Sequence, residues 1–137
     1  MTFLDTNVFM LAIGREHPLR NEALEILEQG SSGATEFSTS AEVLQELLHA
    51  YLRRGRLDSC RDALELVRRS VLVVWQLEEA DVRLAVALAD VHPALEARDL
   101  VHLACCQRRG VDGLATFDRG LDAAWSAAGG RRTVQRR

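Results

Sequence analysis

Lysine is absent from this chain of 137 residues, so all 17 of its basic side chains are arginines. Any buried acid must therefore find its counter-charge in an arginine or a bound cation. Cysteine is sparse: Cys60, Cys105 and Cys106 make an odd count with no C-x-x-C or Cys/His zinc spacing. That excludes a disulfide framework and points to a reduced, cytoplasmic protein whose thiols act as small buried hydrophobes. Aromatics are only 5% of the chain and do not interleave with arginine. Trp75 and Trp125 are thus expected as core or interface anchors, not as a base-stacking platform. No apolar run approaches the roughly 20 residues needed to cross a bilayer, and Asp5 breaks the opening segment too early for a signal sequence. No membrane role is expected. Repeats, low-complexity tracts and linkers are also missing; Gly30-Ser31-Ser32-Gly33 is expected as a loop.

What remains is an ordinary globular composition, 47% hydrophobic, long enough to build a core as a single domain over 1–137. A net charge of −3 is too mild to announce nucleic acid. The arginines cluster at Arg53-Arg54-Gly55-Arg56, Arg108-Arg109 and Arg131-Arg132 to Arg136-Arg137. Such clusters serve either as solvated helix ends that complement the helix dipole or as forks for phosphate.

Apolar periodicity alternates between short strands and helices. Strands are expected near 2–5, 35–38, 71–75, 113–116 and, weakly, at Thr133-Val134. The helices between them run to Ile13, from Pro18, from Ser40 (a capping serine) to Gly55, over 58–69, 79–90 and 97–109, and over 119–128. Helix 58–69 is expected to bury Cys60, Ala63, Leu64 and Val67. The run Val71–Trp75, β-branched and apolar on both faces, reads as a strand from a parallel-sheet interior. This order implies an α/β fold: a central parallel sheet of four to five strands between two helical layers.

Four acids stand out by position. Asp5 and Asp118 leave the ends of strands, where each is equally explained as a helix N-cap. Asp99 sits in the first turn of its helix, where an acid suits the dipole. Glu46 lies mid-helix at the edge of the apolar stripe, with Glu42 and His49 on the same side, and an acid there needs a partner. One cation shared by all four is more economical than four separate explanations, because the strand ends and helix starts of a doubly wound sheet converge on one crevice. His102, three residues after Asp99, is expected to be buried or hydrogen-bonded, with a general-base role as the alternative.

These residues carry a resemblance. Leu4-Asp5-Thr6-Asn7-Val8, Ser40-Ala41-Glu42-Val43-Leu44-Gln45-Glu46, Ala97-Arg98-Asp99-Leu100-Val101-His102 and Leu114-Ala115-Thr116-Phe117-Asp118 follow one another as in PIN-domain ribonucleases, and the chain resembles the VapC toxins of type II toxin–antitoxin pairs. The resemblance implies that Asp5, Glu46, Asp99 and Asp118 are the catalytic and metal-binding quartet, supported by Thr6, Asn7, Ser40 and Thr116. Glu42 competes with Glu46, and family spacing favours Glu46; Asp122 is expected to be a solvated helix residue. It further implies Mg²⁺ or Mn²⁺ as the cofactor, RNA as the substrate cut by a metal-activated water with arrest of translation, a homodimer, and a cognate antitoxin whose arginine displaces the metal. A catalytically silent RNA- or protein-binding module is the alternative. A response-regulator receiver is excluded by the missing lysine. Asn7, standing where a haloacid-dehalogenase-type phosphatase needs a second aspartate, argues against that class.

Overall fold

The computed structural model describes residues 1–132, with side chains through Arg131. In chain order it contains β1 (Thr2–Leu4), α1 (Thr6–Ile13), α2 (Arg20–Ser31), β2 (Phe37–Ser40), α3 (Ala41–Arg53) and α4 (Leu57–Ser70). It continues through β3 (Val73–Trp75), α5 (Glu79–Val91), α6 (Ala97–Arg109), β4 (Gly113–Ala115), α7 (Arg119–Ala127) and β5 (Arg131–Arg132). The strands lie in the order β3-β2-β1-β4-β5, every pair parallel. Helices α1 to α4 pack on one another, and α5, α6 and α7 form a second group, so the sheet is flanked by two helical layers as expected.

This order positions the site. The chain builds outward from β1 to β2 and β3, then returns to add β4 on the other side of β1. That reversal opens a crevice beyond the C-terminal ends of β1 and β4, where open α/β sheets bind ligands. Phe3 pairs with Ser38 on one side and Leu114 on the other. Phe3, Leu4, Phe37 and Leu114 are all but fully buried, and truncating such a phenylalanine costs about 3–5 kcal/mol. On α3 the buried residues Val43, Leu47 and Tyr51 recur at helical spacing, which turns that face to the core and leaves the neighbouring Glu46 at its margin. Gly110 ends α6 in the left-handed region at φ 61°, where glycine carries no steric cost.

Several expectations need correction. β2 spans Phe37–Ser40, two residues beyond the expected strand, because Phe37 is the first side chain there to enter the core. Gly30 belongs to α2 and not to a loop; a Cβ at that position would lie 2.2 Å from the Ser70 carbonyl oxygen, so its bareness lets α2 meet the end of α4. The run Val71–Trp75 is not an interior strand. Only Val73–Trp75 pairs, and it pairs with β2 alone at the sheet edge, leaving Leu72 67% exposed. Leu64 is exposed as well, while Cys60, Ala63 and Val67 are buried as expected. Ser40 is the N-cap residue of α3, but its hydroxyl makes no cap bond. It is also the last paired residue of β2, opposite Trp75, and the strand's pleat sets its side-chain direction. The strand expected at Thr133-Val134 lies outside the described residues; the last strand described is Arg131–Arg132.

Candidate active site

Asp5 follows β1 directly. Its amide donates to the Ala115 carbonyl at 3.0 Å, which carries the β1–β4 ladder one residue past the strand and delivers the side chain into the crevice. One carboxylate oxygen accepts from the Thr6 amide at 2.7 Å, and the other accepts from the Thr116 hydroxyl at 2.7 Å. Asp5 is therefore the N-cap of α1 and a wall of the cleft at once; the two readings left open by the sequence do not compete. Thr116 joins the two strand exits: its oxygen also accepts from Asn7 Nδ2 at 3.3 Å and from the Asp118 amide at 3.0 Å. Asn7 Oδ1 accepts from the Phe117 amide at 3.2 Å.

Glu46 reaches the same point from α3. Its Oε2 accepts a short hydrogen bond from the Thr6 hydroxyl, and its Oε1 lies 3.0 Å from His102 Nε2. His102 is 1% exposed, and its Nε2 is also 3.6 Å from Asp5 Oδ1. Asp5, Glu46 and His102 thus bring ligand-capable atoms within 4.8 Å of one another. Asp99 and Asp118 line the same cleft, of about 690 Å³. Asp99 is half-buried in the first turn of α6. Asp118 is exposed and caps α7 by accepting from the Leu121 amide at 2.9 Å.

The electrostatics follow from this crowding. Burial pushes the Asp5 carboxyl above its usual range, against the opposing pull of His102 and the Thr116 and Thr6 hydrogen bonds. Burial, then the charges of Asp118 and Asp5, pushes Asp99 up to about 6. Burial also acts upward on Glu46, but the His102 hydrogen bond and charge and the Thr6 hydroxyl outweigh it and hold Glu46 low. Burial disfavours a charged His102, but the Glu46 hydrogen bond and the surrounding carboxylates raise its pKa overall. The donor set is dominated by carboxylate oxygens that repel one another, which suits a hard divalent cation with oxygen ligands.

The remaining sequence candidates sort clearly. Thr6, Asn7 and Thr116 hold the acids in place. Ser40 is buried behind them, does not line the cleft, and its hydroxyl has no partner among the described residues. Glu42 is half-buried, pushed up by burial and by Glu46, and stands outside the cleft lining. Asp122 is buried and not solvated, because α7 turns it inward together with Leu121 and Trp125. The three cysteines are free and buried, as expected. The arginine clusters divide. Arg53 and Arg54 line the cleft and form no ion pair among the described residues, whereas Arg108 and Arg109 are committed elsewhere, to Asp81.

His102 is buried and hydrogen-bonded, as expected; what sequence reading missed is its partner, Glu46. The available signal was a histidine on the same helix face as Asp99, next to an apolar run.

A family model for the PIN domain matches residues 2–124. The chain is a PIN-domain protein. Within this family it is 52% identical over 125 residues to Ribonuclease VapC23 of Mycobacterium tuberculosis, covering 91% of this chain and 98% of that one. It is 33% identical over 123 residues to Ribonuclease VapC13 of the same organism, covering 90% and 94%. The fold matches the crystal structure of M. tuberculosis VapC20, a sarcin-ricin loop cleaving toxin, with a TM-score of 0.74 at 19% identity over 96% of this chain and 97% of that one. VapBC2 of Rickettsia felis bound to a promoter DNA fragment matches with a TM-score of 0.64 at 16% identity, over 85% and 86%. Asp5, Glu46, Asp99 and Asp118 all line one crevice of this PIN domain.

Proposed function

We propose that this PIN-domain protein is a VapC-type toxin, a metal-dependent endoribonuclease that acts as one domain in the cytoplasm. The observation that carries this reading is the convergence of Asp5 and Glu46 on one point of a cleft that Asp99 and Asp118 also line. Asp5, Glu46 and Asp99 would hold Mg²⁺ or Mn²⁺, with Asp118 completing the shell or orienting water from the rim. When bound, such an ion supplies an acidified water and stabilises charge on the scissile phosphate. Thr116 and Thr6 keep the Asp5 and Glu46 carboxylates from turning away. Arg53 and Arg54, which form no ion pair among the described residues, hold the phosphodiester backbone on the α3 side. Replacing both with alanine is expected to weaken RNA binding and flatten its dependence on salt by roughly 0.7 per lost phosphate contact.

The test is cleavage of a structured RNA with Mg²⁺ or Mn²⁺, read for 5′-phosphate and 3′-hydroxyl ends. EDTA and Asp5→Asn are each expected to stop it; an Asp5→Asn protein that cuts like its parent overturns the reading. An antitoxin is the proposed protein partner, its arginine entering among the carboxylates of the cleft; a tail that leaves Mn²⁺ affinity unchanged removes that step. A homodimer is proposed as well. It is supported by the exposed Val82 and Val86 one turn apart on α5, and a monomeric mass by light scattering would exclude it.

A further inference from the structure

We propose that His102 is a positioning residue that fixes the Glu46 carboxylate through an Nε2–H donor, and is neither a metal ligand nor the base that activates water. The inference rests on the metal-dependent reading above and concerns how one of its ligands is held.

Glu46 reaches the cleft from the middle of a helix on a flexible side chain, so its carboxylate needs external restraint to present a fixed geometry. Each of its oxygens has one partner within hydrogen-bond reach, Thr6 Oγ1 at Oε2 and His102 Nε2 at Oε1. Each oxygen accepts more than one bond, so both remain able to face a cation while the plane of the group is set.

The histidine itself is held rigidly. It is 1% exposed on α6, and its ring lies 5.8 Å from the Phe3 ring at a 47° tilt. Its other nitrogen, Nδ1, is buried and has no hydrogen-bond partner among the described residues. That orphan decides between the neutral tautomers. With hydrogen on Nδ1, an N–H would be buried unsatisfied and a bare Nε2 lone pair would face the Glu46 carboxylate, which costs twice. With hydrogen on Nε2, the lone pair is the group left unpartnered and the bond to Glu46 is made. The imidazolium also carries hydrogen on Nε2. In both states the nitrogen facing the cleft is a donor, with no lone pair for a metal and none to take a proton from water. A ligating imidazole would also ordinarily hand its second N–H to an acceptor, and Nδ1 has none.

A glutamine amide nitrogen occupies about the place of a histidine Nε2, and an asparagine amide that of Nδ1, so two variants separate position from chemistry. Mn²⁺ affinity is measured by calorimetry on wild type, His102→Gln, His102→Asn and His102→Leu, each checked for folding by circular dichroism. Pulsed electron paramagnetic resonance of the Mn²⁺-loaded wild type reports any directly bound nitrogen. Expected results are affinity close to wild type for His102→Gln, a loss of about 10- to 100-fold for His102→Asn and His102→Leu, and no ¹⁴N coupling of a coordinated imidazole. Such a coupling overturns the proposal, as does a folded His102→Asn that binds like wild type, whether or not His102→Leu folds. A wild type that binds no Mn²⁺ overturns the metal-dependent reading itself, and is thereby told apart from failure of the positioning role.

Discussion

Two buried aspartates in this molecule have opposite surroundings. Asp81, at the start of α5, is fully buried and gripped by two arginines. Arg108 Nη1 is 2.8 Å from its Oδ1, Arg109 Nη1 is 2.7 Å from the same oxygen, and Arg109 Nη2 is 3.1 Å from Oδ2. Arg109 is further tied to the Gln76 carbonyl and to Glu78 and lies 5.5 Å over the Trp75 ring. Burial pushes Asp81 upward, but the Arg109, Glu78-amide and Arg108 hydrogen bonds overcome it and hold the carboxyl down at about 2. Asp5 is buried to nearly the same degree, pairs with no arginine among the described residues, and its carboxyl is pushed up instead. A buried acid with its charge fully matched is part of the framework. One left with hydroxyls, an amide and a shared histidine keeps room for a cation.

The largest test of that contrast exchanges charge for amide at the site. Asp5→Asn is expected to cut RNA cleavage by about a thousandfold, about 4 kcal/mol of barrier, with no loss in the melting temperature of the metal-free protein. Next, Asp81→Ala leaves two arginines without their carboxylate and is expected to cost about 3 kcal/mol of stability by denaturant unfolding, with Mn²⁺ affinity retained. A variant pair in which Asp5→Asn unfolds the protein and Asp81→Ala does not would invert the assignment.

Acid separates Asp81 from Asp99 by sign. The Asp81 carboxyl is depressed from 3.8 to about 2, so its stabilisation is present above the unfolded value and is lost as pH falls through the folded one. Wild type is expected to lose about 2 kcal/mol across that window, a loss missing from Asp81→Ala. Asp99 runs the other way. Its carboxyl is raised from 3.8 to about 6, so ionising it costs the folded, metal-free protein progressively more as pH climbs between those values. Asp99→Asn is expected to stabilise the metal-free protein by about 1 kcal/mol at pH 7, and not at all below pH 3.8; equal stability at both ends would remove the crowding argument.

What could be read in advance follows from how local each cause is. Strand–helix alternation, the parallel sheet and the acids at strand ends rest on short-range pattern and on the geometry common to such sheets. The edge position of β3 was not legible, because the apolar run Val71–Trp75 looks the same in the interior and at an edge where Trp75 stacks 6.4 Å from Phe3 under a guanidinium. Nor was the fate of Arg108 and Arg109, whose acid lies 27 and 28 residues earlier. The link from Glu46 to His102 spans 56 residues. No periodicity encodes such pairs; they exist only once two elements have docked.

The hydroxyl bridge from Thr116 to Asp5 joins residues 111 positions apart. The two sides of the cleft are therefore made far apart in time, because Asp5 leaves the ribosome 111 residues ahead of Thr116. Until then Asp5 has no Thr116, and the strand that would open the crevice beside it does not yet exist. A chain that stops before Thr116 is expected not to cut RNA, because it lacks both the hydroxyl that holds Asp5 and the strand beside it. For a protein that attacks RNA, the fold itself supplies a delay during its own manufacture.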